Sequence, residues 1–364
     1  MADAAVEQDR IARLRLIRTA SIGPVTYRQL VRRFGDAQAA LAAVPDLARR
    51  GGGKPPAIAS EASVRAEVAT VEALGARYLF LGLAGYPRLL AEIDDAPPVL
   101  IAHGNARLPD TQAVAIVGAR NASASAVRFA RGLAYDLAAA GLVVVSGLAR
   151  GIDTGAHQGA LDRGTIAVVA GGADIFYPPE NEALQRAIAE RGLVLAEQPP
   201  GTEPRARHFP YRNRIIAGIT LGTVVVEAAP KSGSLITARQ AGAQGREVMA
   251  VPGSPLDGRA QGCNQLIRDG ATLIQSADDV IELIGGIGGA SLRSPRAPFE
   301  ALPAEDASEA ERRALIELLG PSAVPIDELI RQSQLPSAIV QTVLLELELG
   351  GRLERHAGGR VSLI

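Results

Sequence analysis

The sequence predicts an α/β fold: a mostly parallel sheet with helices on both faces, flanked by smaller helical domains. Three observations lead there. Between residues 105 and 285 short apolar, β-branched runs alternate with helical stretches of about ten to fifteen residues, the pattern of successive strand–helix–strand units. Those runs end in Gly, Ser or charged residues, as strand ends facing a ligand do. Gly285-Gly286-Ile287-Gly288-Gly289, followed by several Pro and Ser, then separates this region from a last helical stretch.

Composition bounds the rest. A chain of 364 residues holds two or three domains. Its residues are 47% apolar and 3% aromatic with no Trp, so Ala, Leu, Ile and Val build the core. The net charge of −1 gives no global field for nucleic acid or membrane, and any such binding needs a local patch. The single Cys263 excludes an internal disulfide and a Cys-based zinc site. Four scattered His argue against a metal centre, and no cofactor is expected. No apolar run approaches ~18 residues and Met1–Arg10 is polar, so the expectation is a soluble, cytoplasmic chain with no membrane partner.

Residues 1–100 read as an N-terminal helical domain. Tyr27, Leu30, Val31 and Phe34 fall at i, i+3, i+4 and i+7, one apolar face. Ser21-Ile22-Gly23-Pro24-Val25 before them is a turn between two helices. Helix, Ile-Gly-Pro turn, helix resembles a helix-hairpin-helix (SAM-like) module, which touches DNA backbone through turn amides; a plain αα-hairpin is the alternative. Gly51-Gly52-Gly53-Lys54-Pro55-Pro56 reads as a linker or loop. A helix over 61–74 and a short strand at 78–81 follow. The main domain spans 101–285, with strands expected at 113–117, 142–145, 166–170, 193–196, 223–226, 247–251 and 272–274. Residues 286–308 read as a flexible linker. Residues 309–364 read as a winged helix, with helices at 309–319, 326–333 and 337–349 and a terminal strand pair at 352–355 and 360–363. A winged helix that grips DNA needs a basic third helix. Ser337–Leu349 carries Glu346 and Glu348 and no base, and over 309–350 seven acids face three bases. This domain is expected to make protein contacts.

The strand ends carry the chemistry. Val143-Val144-Val145 runs into Ser146-Gly147-Leu148-Ala149-Arg150-Gly151-Ile152-Asp153: strand, tight polar loop, helix start capped by Asp153. Such a loop points backbone amides and the positive end of a helix dipole at one spot, which suits a phosphate. An ordinary αβ connection is the alternative for this stretch alone. The first strand ends Gly118-Ala119-Arg120, the third Ala170-Gly171-Gly172, and Tyr177-Pro178-Pro179-Glu180-Asn181 follows. After the fourth strand, Arg205–Arg214 holds four Arg, His208, Phe209 and Tyr211. Between 201 and 246 seven bases face two acids. A solvated basic loop is the alternative, but interleaved Arg and aromatic residues are what single-stranded nucleic acid requires. After the fifth strand, Lys231 with Ser232-Gly233-Ser234 forms a second anion cradle. Neither a full G-x-G-x-x-G nor a Walker sequence is present, so a nucleotide cofactor lacks support.

Taken together, Ala115–Arg120, Ser146–Asp153, Tyr177–Asn181, His208–Ile216 and Lys231–Ala238 resemble the DNA-processing protein A family (DprA, also called Smf). The resemblance covers the whole Rossmann-like domain, and both flanking domains fit it. It implies a Rossmann-like sheet between an N-terminal helical domain and a winged helix. It also implies a cytoplasmic protein that binds single-stranded DNA entering during natural transformation, protects it and loads RecA. Carried over residue by residue, the DNA groove is Arg120, Ser146, Gly147, Arg150, Gly171, Arg205, Arg207, His208, Phe209, Arg212, Asn213, Arg214, Lys231, Ser232, Gly233 and Ser234. Phe209 is expected to pack on a base or sugar. Asn213 either bonds a phosphate or locks the loop, and Arg214, ahead of Ile215-Ile216, has a structural side. The family's Gly-Ser-Arg is here Gly118-Ala119-Arg120. Self-association as a homodimer is implied late in the domain, at Leu266 and Ile267, which otherwise fill the core of a short helix.

Two rival readings stand beside this one, an enzyme and a partner-binding module. Asp153 and His157 lie one helical turn apart, which fits either acid–base chemistry or loop bracing. Phosphoribohydrolases that cleave nucleoside monophosphates share the Rossmann-like architecture, and Glu227 would be the candidate acid of such an enzyme; no paired carboxylate or nucleophile stands beside it in sequence. A partner-binding module without DNA affinity would rest on the acidic third domain.

Overall fold

The sheet of this computed structural model, which describes residues 2–289, 306–356 and 358–364, has nine strands. They are β1 Arg77–Phe80, β2 Val99–Gly104, β3 Ala113–Gly118, β4 Val143–Ser146, β5 Thr165–Val169, β6 Leu193–Ala196, β7 Gly222–Val226, β8 Glu247–Ala250 and β9 Thr272–Leu273. Their order is β1-β2-β6-β5-β4-β3-β7-β8-β9. From β3 to β9 all pairings are parallel, as the strand–helix alternation predicts. β1 and β2 form an antiparallel pair that joins the sheet beside β6, with Ile101 opposite Ala196. The expected first boundary at residue 100 therefore moves: the chain divides at 66/67. Tyr78, Leu79, Phe80 and Val99 to Ala102 are all buried, and such runs cannot stay in a helical domain with solvent on one side.

Strand alternation sorts the core into two layers. Ala115, Val117, Val145, Ile166 and Val168 face one side of the sheet, where Ile215, Ile216 and Ile219 of helix His208–Ile219 cover them. Val114, Ile116 and Val144 face the other, under Leu133 and Leu137 of helix Ala124–Ala139 and Ile152 of helix Ile152–Ala160. The chain steps outward from β3 to β6 and then returns across the sheet to β7 on the far side of β3. That return begins at the C-terminal end of β6, so it carries Arg205–Arg214 over the strand ends. Ligands of such sheets bind at this edge.

The second unit combines residues 1–66 with the C-terminal segment from 294. Helices Ala2–Arg18, Pro24–Phe34 and Ala37–Arg50 pack around Leu16, Tyr27, Leu30, Val44 and Leu47. Helices Glu309–Glu317, Ile326–Ser333 and Ser337–Leu349 and strands β10 Val324–Pro325, β11 Leu353–His356 and β12 Arg360–Leu363 form the winged helix. Its third helix belongs to two cores. Val340, Val343, Leu344 and Leu347 fill its own domain, while Leu345 and Leu349 are buried among the N-terminal helices. Each leucine so buried contributes about 2 kcal/mol. The acids of this helix are paired internally: Arg312 reaches Glu346 at 2.7 and 3.1 Å, and Arg355 reaches Glu348 at 2.7 Å.

The glycines at 51–53 are a docking loop rather than a linker. A Cβ at Gly51 would lie 2.0 Å from the Glu346 carbonyl oxygen and one at Gly53 1.8 Å from that of Gly350, so only glycine lets the two backbones meet. Arg352 then donates to the Gly51 carbonyl. At the other expected linker, residues 286–289 finish helix Ala277–Gly289, and 290–305 lie outside the described residues. No helix among the described residues is long and apolar enough to cross a membrane.

Candidate nucleic-acid interface

The loop after β4 is held from within. Ser146 is fully buried and its hydroxyl donates to the Ile116 carbonyl at 2.6 Å, so it is a brace and not a groove residue. Asp153 does not cap its helix; Gly151 stands at the cap, and Asp153 reaches back to accept from the amides of Gly147 (3.1 Å) and Ala149 (3.2 Å). Two of the amides expected to be open to phosphate are therefore already engaged. Asn181 donates to the Leu148 carbonyl at 2.9 Å and Thr154 to that of Ala149 at 2.8 Å. The Tyr177–Asn181 motif thus ends in a loop brace, a role sequence reasoning missed.

Arg205–Arg214 is not all loop. A helix starts at His208, with Pro210 in its first turn, where the missing N–H has no helical acceptor to lose. Helical spacing sends neighbouring arginines different ways. Arg212 is buried, donates to the Val168 carbonyl at 3.0 Å, and leaves its Nε without a hydrogen-bond partner. Its guanidinium lies where a side chain at position 147 would be: a Cβ there would sit 1.5 Å from Nη1. A side chain at 147 would have to displace the Arg212 guanidinium from its place at the cavity. Arg214 points away, buried against Glu197 at 2.6 Å and Asp95 at 3.4 Å, so it is structural and leaves the groove. Arg205 and Arg207 are exposed, and His208 is half-buried beside them.

A cavity of about 30 Å³ opens over the ends of β3, β4 and β5, lined by Arg120, Gly147, Arg150, Gly171, Tyr177, Phe209 and Arg212. Phe209 is boxed in. The Arg120 guanidinium lies 5.1 Å from its ring centre, that of Arg212 6.0 Å, and the Tyr177 ring 5.7 Å. Its ring orients two cations. Arg150 stands at the exposed rim, 3.6 Å from Glu180. The cavity has room for about two or three water molecules and opens to solvent, with guanidinium groups at its wall and rim.

The electrostatics follow from burial. Loss of water pushes Arg212 down to about 10, with Asp153 pulling it back, so it stays charged at neutral pH. Burial pushes Asp153 up, opposed by Arg212 and the two amides. His157 is fully buried, 2.7 Å from the Thr165 hydroxyl, and burial with Arg212 nearby pushes it down to about 3. Asp153 and His157 brace the site through the loop amides and the Thr165 hydroxyl.

Lys231, Ser232, Gly233 and Ser234 lie beyond β7 on the same sheet edge but do not line the cavity. Ser232 and Ser234 bond each other at 2.7 Å, and Lys231 is exposed. Gln240 of helix Ser234–Ala243 donates to the Pro210 carbonyl at 3.1 Å. Asn213 is half-buried. Glu227 is committed: its carboxylate accepts from the Ser123 amide (2.8 Å) and hydroxyl (2.6 Å), which removes it as a free acid. Leu266 and Ile267 pack partly buried against the first core layer.

Comparison with known proteins agrees with this architecture. The family model described as DNA recombination-mediator protein A matches residues 77–285; models for a DprA-like N-terminal HHH domain and a DprA winged helix domain match 7–70 and 299–359. DNA processing protein DprA of Streptococcus pneumoniae is 48% identical over 202 residues, 54% of this chain and 70% of that one. Protein Smf of Escherichia coli is 36% identical over 288 residues, 76% of this chain and 75% of that one. Among solved structures, that of the Streptococcus pneumoniae protein superposes with a TM-score of 0.58 at 43% identity, covering 61% of this chain and 77% of that one. DNA processing protein A from Helicobacter pylori, described for its single-stranded DNA binding mode, superposes with a TM-score of 0.53 at 30% identity, covering 58% and 97%. With its sheet domain and both flanking domains matched, this chain belongs to the DNA recombination-mediator protein A family, DprA or Smf.

Proposed function

We propose that this chain is a single-stranded DNA-binding recombination mediator, a binding protein rather than an enzyme, and that its cavity takes one backbone phosphate of the strand. The observation that carries this is Arg212: a buried guanidinium with an unpartnered Nε, lining a cavity whose wall and rim also hold Arg120 and Arg150. Bases then stay outside, and the contact reads no sequence. Arg120 and Arg150 supply further charge at the cavity, Arg205 and Arg207 extend the track, and Lys231 to Ser234 give it a second foothold along the sheet edge. A homodimer through Leu266 and Ile267 would double that track. A strand held by its phosphates keeps its bases open, which suits protection of incoming DNA and transfer to RecA.

The reading is tested by competition binding. Homopolymeric and mixed single strands should compete alike, and the matching duplex poorly, because its stiff backbone cannot bend to bring a phosphate down to Arg212. Affinity should fall with salt at a slope of about −0.7 per phosphate neutralised. Equal affinity for duplex, or a salt-independent affinity, contradicts it.

A further inference from the structure

Asp153 sits where an anionic ligand would sit in the loop after β4. Helix-opening loops bind phosphate because their amides converge on one point. Here the amides that converge, those of Gly147 and Ala149, donate to a single oxygen, Asp153 Oδ2. Asp153 is 6% exposed, and Gly147, whose amide it holds, is packed against the Arg212 guanidinium. Arg212 in turn is pressed against Gly147 and lines the cavity. One buried carboxylate therefore saturates two loop amides and offsets the field of the cavity's buried cation. Helix capping does not account for it, because Asp153 lies inside the helix and reaches backward.

We propose that Asp153 is an internal stand-in for phosphate. It is a positioning residue that keeps the loop and Arg212 in binding geometry while the cavity is empty, and it competes electrostatically with the strand phosphate so that the strand can be released. This rests on the reading of the cavity as a strand-phosphate site. The other charged groups nearby do not act in this way. His157, one turn along the helix, is neutral, Arg120 adds positive charge, and Arg150 with Glu180 is a rim pair.

The two roles separate by substitution. Asn at 153 keeps an oxygen for both amides and removes the charge; Ala removes both. Full-length wild type, D153N and D153A would be titrated with a labelled thymidine oligonucleotide, and their melting followed with and without inorganic phosphate. The expected result is that D153N binds the strand about threefold tighter or more and D153A weaker than wild type, with phosphate stabilising D153N most. A purely structural residue would leave D153N neutral or weakened. Strand binding in wild type with no tightening in D153N overturns the proposal and leaves the strand reading standing. No strand binding by any of the three, with phosphate still stabilising D153N more than wild type, supports the stand-in role and removes the strand reading. A D153A that melts without folding defects but binds as tightly as D153N overturns the positioning half.

Discussion

Glu227 lies at φ 49°, a backbone region that a non-glycine residue enters only when its surroundings impose it. Both of its carboxylate oxygens are spent on Ser123, the residue that opens helix Ala124–Ala139. Arg120 sits in the short connection between β3 and that helix, so Glu227 fixes where Arg120 is presented. Glu227→Ala should cost about 1.5–3 kcal/mol of stability, because the lost bonds are to a charged group, and should weaken strand binding with the fold intact. Urea unfolding and a binding titration of the variant check this; an unchanged midpoint with unchanged affinity contradicts the clamp. The presence of Glu227 at a strand end is legible in sequence, but its partner is not: Ser123 lies 104 residues earlier. A free acid and a clamped one look alike in a string of letters. The same limit explains Ser146 and Arg214, residue types suited to a groove whose neighbours Ile116, Glu197 and Asp95 are distant in sequence and already hold them.

Helices decide which of the clustered residues act together. Arg212 and Arg214, two residues apart, point about 200° apart on helix His208–Ile219, one into the cavity and one toward Glu197. Read as a loop, the stretch shows its density of Arg and aromatics but not this division. Helix Ser337–Leu349 makes the converse case. Its lack of basic residues is plain in sequence; its seat among the N-terminal helices is not, since Gly51 and Glu346 are brought together only by the fold. Gly51→Val tests the seat. Its Cβ would meet the Glu346 carbonyl, so amide hydrogen exchange should quicken in both Pro24–Phe34 and Ser337–Leu349, with helix His208–Ile219 unaffected. Quickening confined to the N-terminal helices would contradict a shared core.

At the scale of the whole molecule the chain is two units, a nine-stranded sheet domain and a second unit made from both chain ends. The parallel strands are legible because each carries its own period and its own terminating residues. The place of the antiparallel pair β1–β2 in the sheet is not, because joining β6 is a choice made by tertiary packing. The sheet's return from β6 to β7 is what assembles the site, carrying Phe209 and Arg212 over loops from β3, β4 and β5. On the proposed reading this assembly holds a strand through its phosphates, with Arg212 lining the cavity. It is tested most directly by fluorescence anisotropy of a labelled single strand across salt, for wild type and Arg212→Ala. Arg212→Ala should lose about tenfold or more in affinity for every sequence tried, with a shallower salt slope. Wild-type affinity and slope in Arg212→Ala would contradict it.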